Sequence, residues 1–513
     1  MILINKKIPI LLLCMLFTLG GSQVLASQTE RPLVIVSPWG AKGMDPLVSG
    51  FIFTRMGCLE TLVTTDDKGG LAPLLASKWH VSDDKLSWTF ILRDNVLFHD
   101  STPLTGENTA LALKRIFARG KLFKSSPIES VSGSGQKLTI KTKKPFSALP
   151  AYLAHSSTAI MSPAAFGTDA EVDKIIGTGF YKLADSDGKT VFNFIAFSDY
   201  WGKKATIKRA RYLAVSDGET RALMAESGEA DIALTLSATA ARRLRGMNNI
   251  DIHSTAIPRV REITLNANLP FFDTAPERLA ISLAIDREGI ANAILKNLGT
   301  AATQLMPAVS MWHNPGLLPL SHDPEKARQL LEKAGWEKSQ DGIYTKDGQE
   351  FSFELLTYST RPMLPVVAEA LQSQFAEIGV KMTIMVAKSS QIPSKYKDGT
   401  LEAALIGRNF GLVPDSIGTI TSDFGPALAR GSWGSLGWES EKTNSLIEQY
   451  LATFEDQKAA KIRTDIAEIL QHELPVIPVS WYDHHVTVSK RISGAKLDPY
   501  EIIPYTKGVR WSR

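Results

Sequence analysis

The rhythm of apolar and polar positions changes several times along this chain, and each change predicts an element. Leu33-Val34-Ile35-Val36 is a continuous apolar run, as a buried strand is, and it leads into a Gly-rich loop, Gly40–Pro46. From Phe51 to Leu62 the apolar residues recur at helical spacing. Between Leu74 and Asp100 the pattern alternates about a polar turn at Asp83-Asp84, which predicts a strand–turn–strand hairpin. Asp323 is an N-cap candidate, Pro324 takes the first helical position, and Gly335 closes the predicted helix. Phe351–Leu356 reads as another strand. The most informative stretch is Leu474–Ser489. Pro475 and Pro478 end the helical pattern before it, and Val486–Ser489 is β-rich. Between them lie Trp481, Tyr482, Asp483, His484 and His485. An apolar crossover carrying aromatics and two histidines reads as a late return of the chain from one lobe to another, with a ligand site at the crossing.

Length supports more than one lobe. The chain has 513 residues, of which 44% are hydrophobic and 21% charged, and single cores stop growing near roughly 250–300 residues. The amino terminus carries Lys6-Lys7, an apolar run Ile8–Leu19, and Val24-Leu25-Ala26. That pattern predicts a signal peptide over residues 1–26, cleaved after Ala26, and hence an exported, periplasmic protein. The apolar run is shorter than the roughly 20 residues that span a bilayer.

Formal charge is +4, in no single block, which argues against a nucleic-acid footprint. Cys58 is the one cysteine after the leader, so an internal disulfide and a thiolate metal cluster are both excluded. Gly177-Thr178-Gly179 lacks the third glycine of a dinucleotide fingerprint, because Lys182 stands there. Neither Gly-x-Ser-x-Gly nor His-Glu-x-x-His occurs.

A set of ordered blocks then carries a resemblance. Leu75-Ala76-Ser77-Lys78-Trp79, a polar turn, and Trp88-Thr89-Phe90-Ile91-Leu92-Arg93, followed by Val96-Leu97-Phe98-His99-Asp100, form the first block. Lys144-Pro145-Phe146, Ile176–Leu183, Asp199-Tyr200-Trp201-Gly202, Gly228–Asp231 and Ala284-Ile285-Asp286-Arg287 follow. His322–Ala327 and Ala334-Gly335-Trp336 complete the set. Together they resemble the extracytoplasmic solute-binding proteins of ABC importers, in the family that carries peptides and nickel. Ser101 stands where that family often has glycine.

The resemblance implies an α/β fold of two lobes joined by two hinge crossings. Lobe one is placed at 27–262 plus 486–513, with an extra subdomain at about 65–161, and lobe two at 263–485. It also implies a binding protein without turnover chemistry and without a prosthetic cofactor, a monomer that hands a small-molecule ligand to an ABC permease in the inner membrane. The ligand expected is nickel held by a chelator such as histidine, with short peptides as the alternative. An exported hydrolase and a non-transport receptor are the rivals from other classes.

Candidate site residues come from pattern and resemblance together. Arg361 precedes Pro362 at a strand end, where α/β proteins bind ligands. Arg408 offers a planar fork for a carboxylate. Asp415 matches an acidic residue that, in peptide carriers of the family, pairs with a ligand amino group; a helix cap is its plainer role. Trp39, Met44, Trp481 and Tyr482 are candidates for an apolar cleft wall. His484, with His485 as alternative, is the candidate metal ligand, and His155 is a further ligand candidate. Adjacent histidines on a strand face opposite ways, so one of the pair at most meets a given metal.

Overall fold

The computed structural model describes residues 31–512 apart from Asp67, Lys68 and Pro362. The signal peptide and its cleavage after Ala26 lie outside the described residues. No helix among those described is long and apolar enough to cross a membrane.

One ten-stranded sheet runs through the molecule. Across it the strands are Lys381–Val386, Ser352–Thr357, Ala403–Asn409, Ile250–Leu265, Val476–Ser489, Ile232–Leu236, Leu33–Ser37, Arg209–Ala214, Val191–Ala196 and Tyr181–Ser186. The two long central strands belong to both lobes. Ile250–Leu265 pairs through Arg259–Leu265 with Ala403–Asn409 of the second lobe. Val476–Ser489 pairs through His485–Val488 with Ile232–Leu236 of the first. The two long strands pair antiparallel with each other, and their register shifts between Ile257 and Val260 and again between Arg261 and Glu262. Such bulges bend a strand and re-aim its side chains. Here they fall where the ladder changes lobes.

Local sequence accounts for most elements. Leu33–Ser37 is buried along its whole length because alternate residues feed two cores. Leu33 and Ile35 join one cluster, with Phe53, Phe192 and Tyr212; Val34 and Val36 join another, with Ala222 and Leu244. Asp323 caps the helix Pro324–Lys333 by accepting from the Lys326 amide at 2.9 Å, and Gly335 leaves it at φ +87°. Two expectations shift. The helix expected over Phe51–Leu62 is Pro46–Arg55, started by the Asp45 side chain. It stops early because Gly57 turns at φ +71°, and a Cβ there would lie 2.2 Å from the Phe180 ring. The late strand begins at Val476 rather than Val486. Leu474 ends the helix Asp456–Glu473 in the left-handed region at φ 47°, and the ladder absorbs Pro478 beside a register shift, where a missing amide does least harm.

The predicted hairpin is Ala76–Val81 with Ser87–Leu92. It lies in a four-stranded antiparallel sheet, completed by Lys137–Thr142 and Ile128–Ser134 and backed by the helix Gly106–Arg119. The core of this extra subdomain continues into the second lobe. Phe146 and Tyr152 share a cluster with Ile447, Tyr450 and Phe424. The Ser147 amide donates to the Leu451 carbonyl at 2.7 Å. The subdomain thus reaches from lobe one onto the helices of lobe two.

Candidate functional site

A cleft of about 1180 Å³ separates the lobes. Trp39, Arg55, Glu60 and His155 line it from the first lobe, and Tyr358, Arg361, Gly407, Arg408 and Trp433 from the second. The crossing strands contribute Arg259, Arg261, Tyr482, Asp483 and His485. Tyr500, Glu501 and Ile502 enter from the C-terminal segment. Neighbouring residues of a strand face opposite ways. A cavity touched by Tyr482, Asp483 and His485 therefore passes round the strand pair.

Tyr482 is the centre of the charged part. The guanidinium carbon of Arg261 lies 3.7 Å from its ring centroid, that of Arg361 5.5 Å and that of Arg259 5.8 Å. The Arg261 and Arg361 carbons are thus within about 9 Å of each other, where two like charges repel by about 2 kcal/mol at an effective dielectric of 20. Burial raises the Tyr482 phenol, but Arg261, Arg361 and Arg259 outweigh it and hold the group below its ordinary value. Arg261 donates to Ser480 Oγ at 3.1 Å and to the Trp481 carbonyl at 3.2 Å. Tyr358 and Tyr482 both favour the charge on Arg361. Among the described residues neither guanidinium has a carboxylate in ion-pair contact. Gly407 makes the cluster possible. A Cβ there would stand 2.8 Å from the Tyr482 hydroxyl and 3.1 Å from Arg361 Nε.

Arg55, Arg259 and Arg408, which also line the cleft, are paired with carboxylates. Glu501 Oε2 accepts from Arg259 Nη2 at 3.0 Å, and Oε1 lies 3.5 Å from Arg55 Nη2. The Tyr505 hydroxyl donates to the same carboxylate at 3.2 Å. Burial would raise the Glu501 carboxyl, yet Arg55, His484 and Arg259 hold it well below the usual range. Arg408 donates from Nε and Nη2 to the two oxygens of Asp423, both at 2.5 Å.

Residues 70–427 match the model of the bacterial extracellular solute-binding proteins, family 5 Middle. The chain belongs to this family. Among its relatives, the nickel-binding protein NikA of Staphylococcus aureus (strain NCTC 8325 / PS 47) is 26% identical over 474 residues, which are 91% of this chain and 92% of NikA. Two solved structures share the fold. NikZ from Campylobacter jejuni in complex with Ni(L-His) superposes with a TM-score of 0.82 at 22% identity, covering 93% of this chain and 98% of NikZ. The oligopeptide-binding protein AppA from Bacillus subtilis, in complex with a nonapeptide, gives 0.79 at 20%, covering 94% and 99%.

Within this solute-binding frame the structure sorts the candidates. Trp39, His155, Arg361 and Tyr482 stand in the cleft wall. Arg408 also reaches the wall, but its fork already holds Asp423, so that edge is closed to a ligand carboxylate. Four candidates stand outside the wall: Met44, Trp481, Asp415 and His484. Met44 packs in the first-lobe core, with its sulfur 3.9 Å from Ser186 Oγ. Trp481 faces away from Tyr482, as strand alternation requires, and its indole donates to the Gln304 carbonyl at 3.1 Å. Asp415 accepts from Trp312 Nε1 at 2.8 Å, from the Tyr450 hydroxyl at 2.7 Å and from the Ile417 amide at 3.0 Å. It lies just before Ser416, the N-cap of the helix Ile417–Phe424, and both of its oxygens are engaged.

The histidine pair splits as the alternation demands, but the roles reverse. His484 is 3% exposed and lies beneath Glu501, with Nε2 3.2 Å from Thr235 Oγ1. Burial lowers it to about 4. His485 reaches the cavity, with Nδ1 2.8 Å from Ser254 Oγ and Nε2 without a protein partner. It lies on the strand face opposite Tyr482, although the Arg261 charge still reaches it. The imidazole in the cleft wall of the first lobe is His155. Its Nδ1 accepts from the Ser157 amide at 3.1 Å and lies 2.8 Å from Ser157 Oγ, which leaves Nε2 for a ligand. Burial lowers His155 to about 4, so the ring is neutral at ordinary pH, as a metal ligand must be.

Arg55, Arg259, Arg261 and Glu501 escaped the sequence reading. Arg259 and Arg261 carried a signal: two residues apart in a strand, they share a face. Glu501 carried none, since nothing in Asp498-Pro499-Tyr500-Glu501 announces a cleft residue.

Proposed function

We propose that this chain is the ligand-binding component of an ABC importer, exported to the periplasm, and that its ligand is nickel carried by a small chelator such as histidine. The lobes, 27–262 plus 486–513 and 263–485, close on the chelate and present it to a permease in the inner membrane; no covalent bond of the chelator is made or broken. The observation that carries the chelate reading is the pair of guanidiniums, Arg261 and Arg361, that stand against Tyr482 with no carboxylate in ion-pair contact among the described residues. A guanidinium suits a carboxylate and an imidazole suits nickel. Arg361 with Arg261 would hold chelator carboxylates, and His155, in place of His484, would supply one nitrogen to the metal. The nickel-binding name of NikA and the Ni(L-His) complex of NikZ support the same reading. Peptide binding of the AppA kind is the second reading, and the engagement of Asp415 with Trp312 and Tyr450 disfavours it.

Calorimetry with nickel alone, nickel with histidine, and a mixed tripeptide pool tests the proposal. Heat is expected only from nickel with histidine. Arg361→Ala and His155→Ala should each weaken that binding at least about tenfold, the loss of one charge-assisted contact or one metal ligand. Tight tripeptide binding in the absence of nickel would overturn the ligand and leave the family membership intact.

Gly407→Ala offers an independent check. The new methyl must displace the Tyr482 hydroxyl and Arg361 Nε. Both are side-chain atoms, so the fold should survive while the cluster opens. We expect about tenfold weaker binding of nickel with histidine, and a thermal midpoint within a few degrees of the parent.

A further inference from the structure

The C-terminal segment places a carboxylate inside the ligand cleft, and the way it is held points to specificity. Asp498 fixes the turn before it by accepting from the Tyr500, Ile502 and Ile503 amides at 2.9, 3.2 and 2.8 Å. The segment is tied to the first helix as well. The Tyr505 amide donates to the Arg55 carbonyl and the Thr506 hydroxyl to the Met56 carbonyl, each at 2.9 Å. Glu501 itself sits at φ +56°, a region that residues other than glycine avoid unless their surroundings over-determine it. Its side chain meets Arg55 and Arg259 as the carboxylate of a bound acid would, and it is 5% exposed. Arg259 is moreover incompletely satisfied, since its Nε has no partner.

Four guanidiniums therefore surround the same region, and the chain neutralises two of them itself. We propose that Glu501 is a specificity-determining residue: it occupies, from within the chain, the anion subsite made by Arg55 and Arg259, and leaves Arg261 and Arg361 to take two acidic groups of the ligand. The ligand class is then a chelate that presents two carboxylates to the cleft. A third finds its place already filled. This deepens the nickel-chelate reading and rests on it for the choice of ligand, but the filled subsite has a test of its own.

The first arm compares two nickel chelates that differ by one carboxylate, nickel–iminodiacetate and nickel–nitrilotriacetate. Calorimetry on the full exported chain should show the wild type preferring the two-carboxylate chelate. Glu501→Gln keeps the shape of the side chain and removes its charge. It should shift the affinity ratio at least about tenfold toward nitrilotriacetate, the size of one charge-assisted contact. An equal gain for both chelates would mean that the ligand displaces Glu501, and an unchanged ratio would mean that Arg55 and Arg259 form no ligand subsite. Either result overturns the proposal.

The second arm needs no nickel. Glu501→Ala opens the subsite, and free acetate should then raise the thermal midpoint of the variant in a saturable way while leaving the wild type unmoved. Arg259→Met in the same background should abolish the acetate response. Acetate that stabilises neither protein, or both alike, refutes the subsite. If neither chelate binds but acetate rescues Glu501→Ala, the subsite stands and the nickel reading falls.

Discussion

Glu501→Ala should destabilise the folded chain by about 3–5 kcal/mol, the usual loss when one partner of a buried ion pair is removed. The residue is held by Arg55, Arg259 and Tyr505, and the charges on both arginines lose their counter-ion together. Arg259 is 4% exposed and Glu501 5%, so water does not replace the missing carboxylate. The loss should be largest near neutral pH. The carboxyl is held well below the usual range in the fold. Its contribution is therefore complete above the unfolded carboxyl value and fades as pH falls through the folded one. Urea unfolding of parent and variant at neutral pH and again near pH 4 measures both points. A difference below about 1 kcal/mol at neutral pH, the size of an exposed pair, would show that the Glu501 cluster is solvated and contributes little.

Glu262→Gln should do the opposite and stabilise the protein as pH rises. Glu262 lies on the crossing strand Ile250–Leu265, fully buried, and neither carboxylate oxygen has a hydrogen-bond partner. Burial first, and then the nearby Asp423 charge, push its pKa well above the ordinary value, against the opposing effect of Arg408. The folded chain thus keeps a proton that the unfolded chain releases. Stability conferred by that proton is present at low pH and is lost as pH rises from the unfolded carboxyl value through the folded one, at about 1.4 kcal/mol per pH unit. Glutamine has the same shape and no proton to lose. Parent and variant should have similar stability near pH 4, and the variant should gain over the parent toward pH 8. Parallel stability curves across that range would mean that Glu262 titrates as an ordinary carboxyl. The site bears on function because Glu262 underlies the Arg408–Asp423 pair at the cleft wall.

Much of the molecule was legible before any coordinates. Strand Leu33–Ser37, the capped helix Pro324–Lys333 and the strand Ser352–Thr357 depend on short-range rules and stand where the pattern placed them to within a residue or two, and the hairpin turns where expected although its second strand ends at Leu92. The ordered blocks identified the family, because they record many local packings at once. The idea that Leu474–Ser489 carries the chain between lobes also came from sequence. Its two prolines and mixed side chains suit neither a plain helix nor a surface loop.

The tertiary structure alone decided which side chains line the cleft, and the reason is distance along the chain. Arg55, Arg259, Arg361 and Glu501 converge from four separate segments, and no local pattern couples Arg55 to a carboxylate 446 residues away. Strand alternation told us that His484 and His485 must part, but not which of them would be covered; the C-terminal segment settled that by lying over His484. Asp415 and Arg408 looked available because their partners, Trp312, Tyr450 and Asp423, are visible only once the helices have packed. The sequence determined the elements and the family. Which charges remain uncompensated in the cleft is a sum over the whole fold, and only the folded chain performs it.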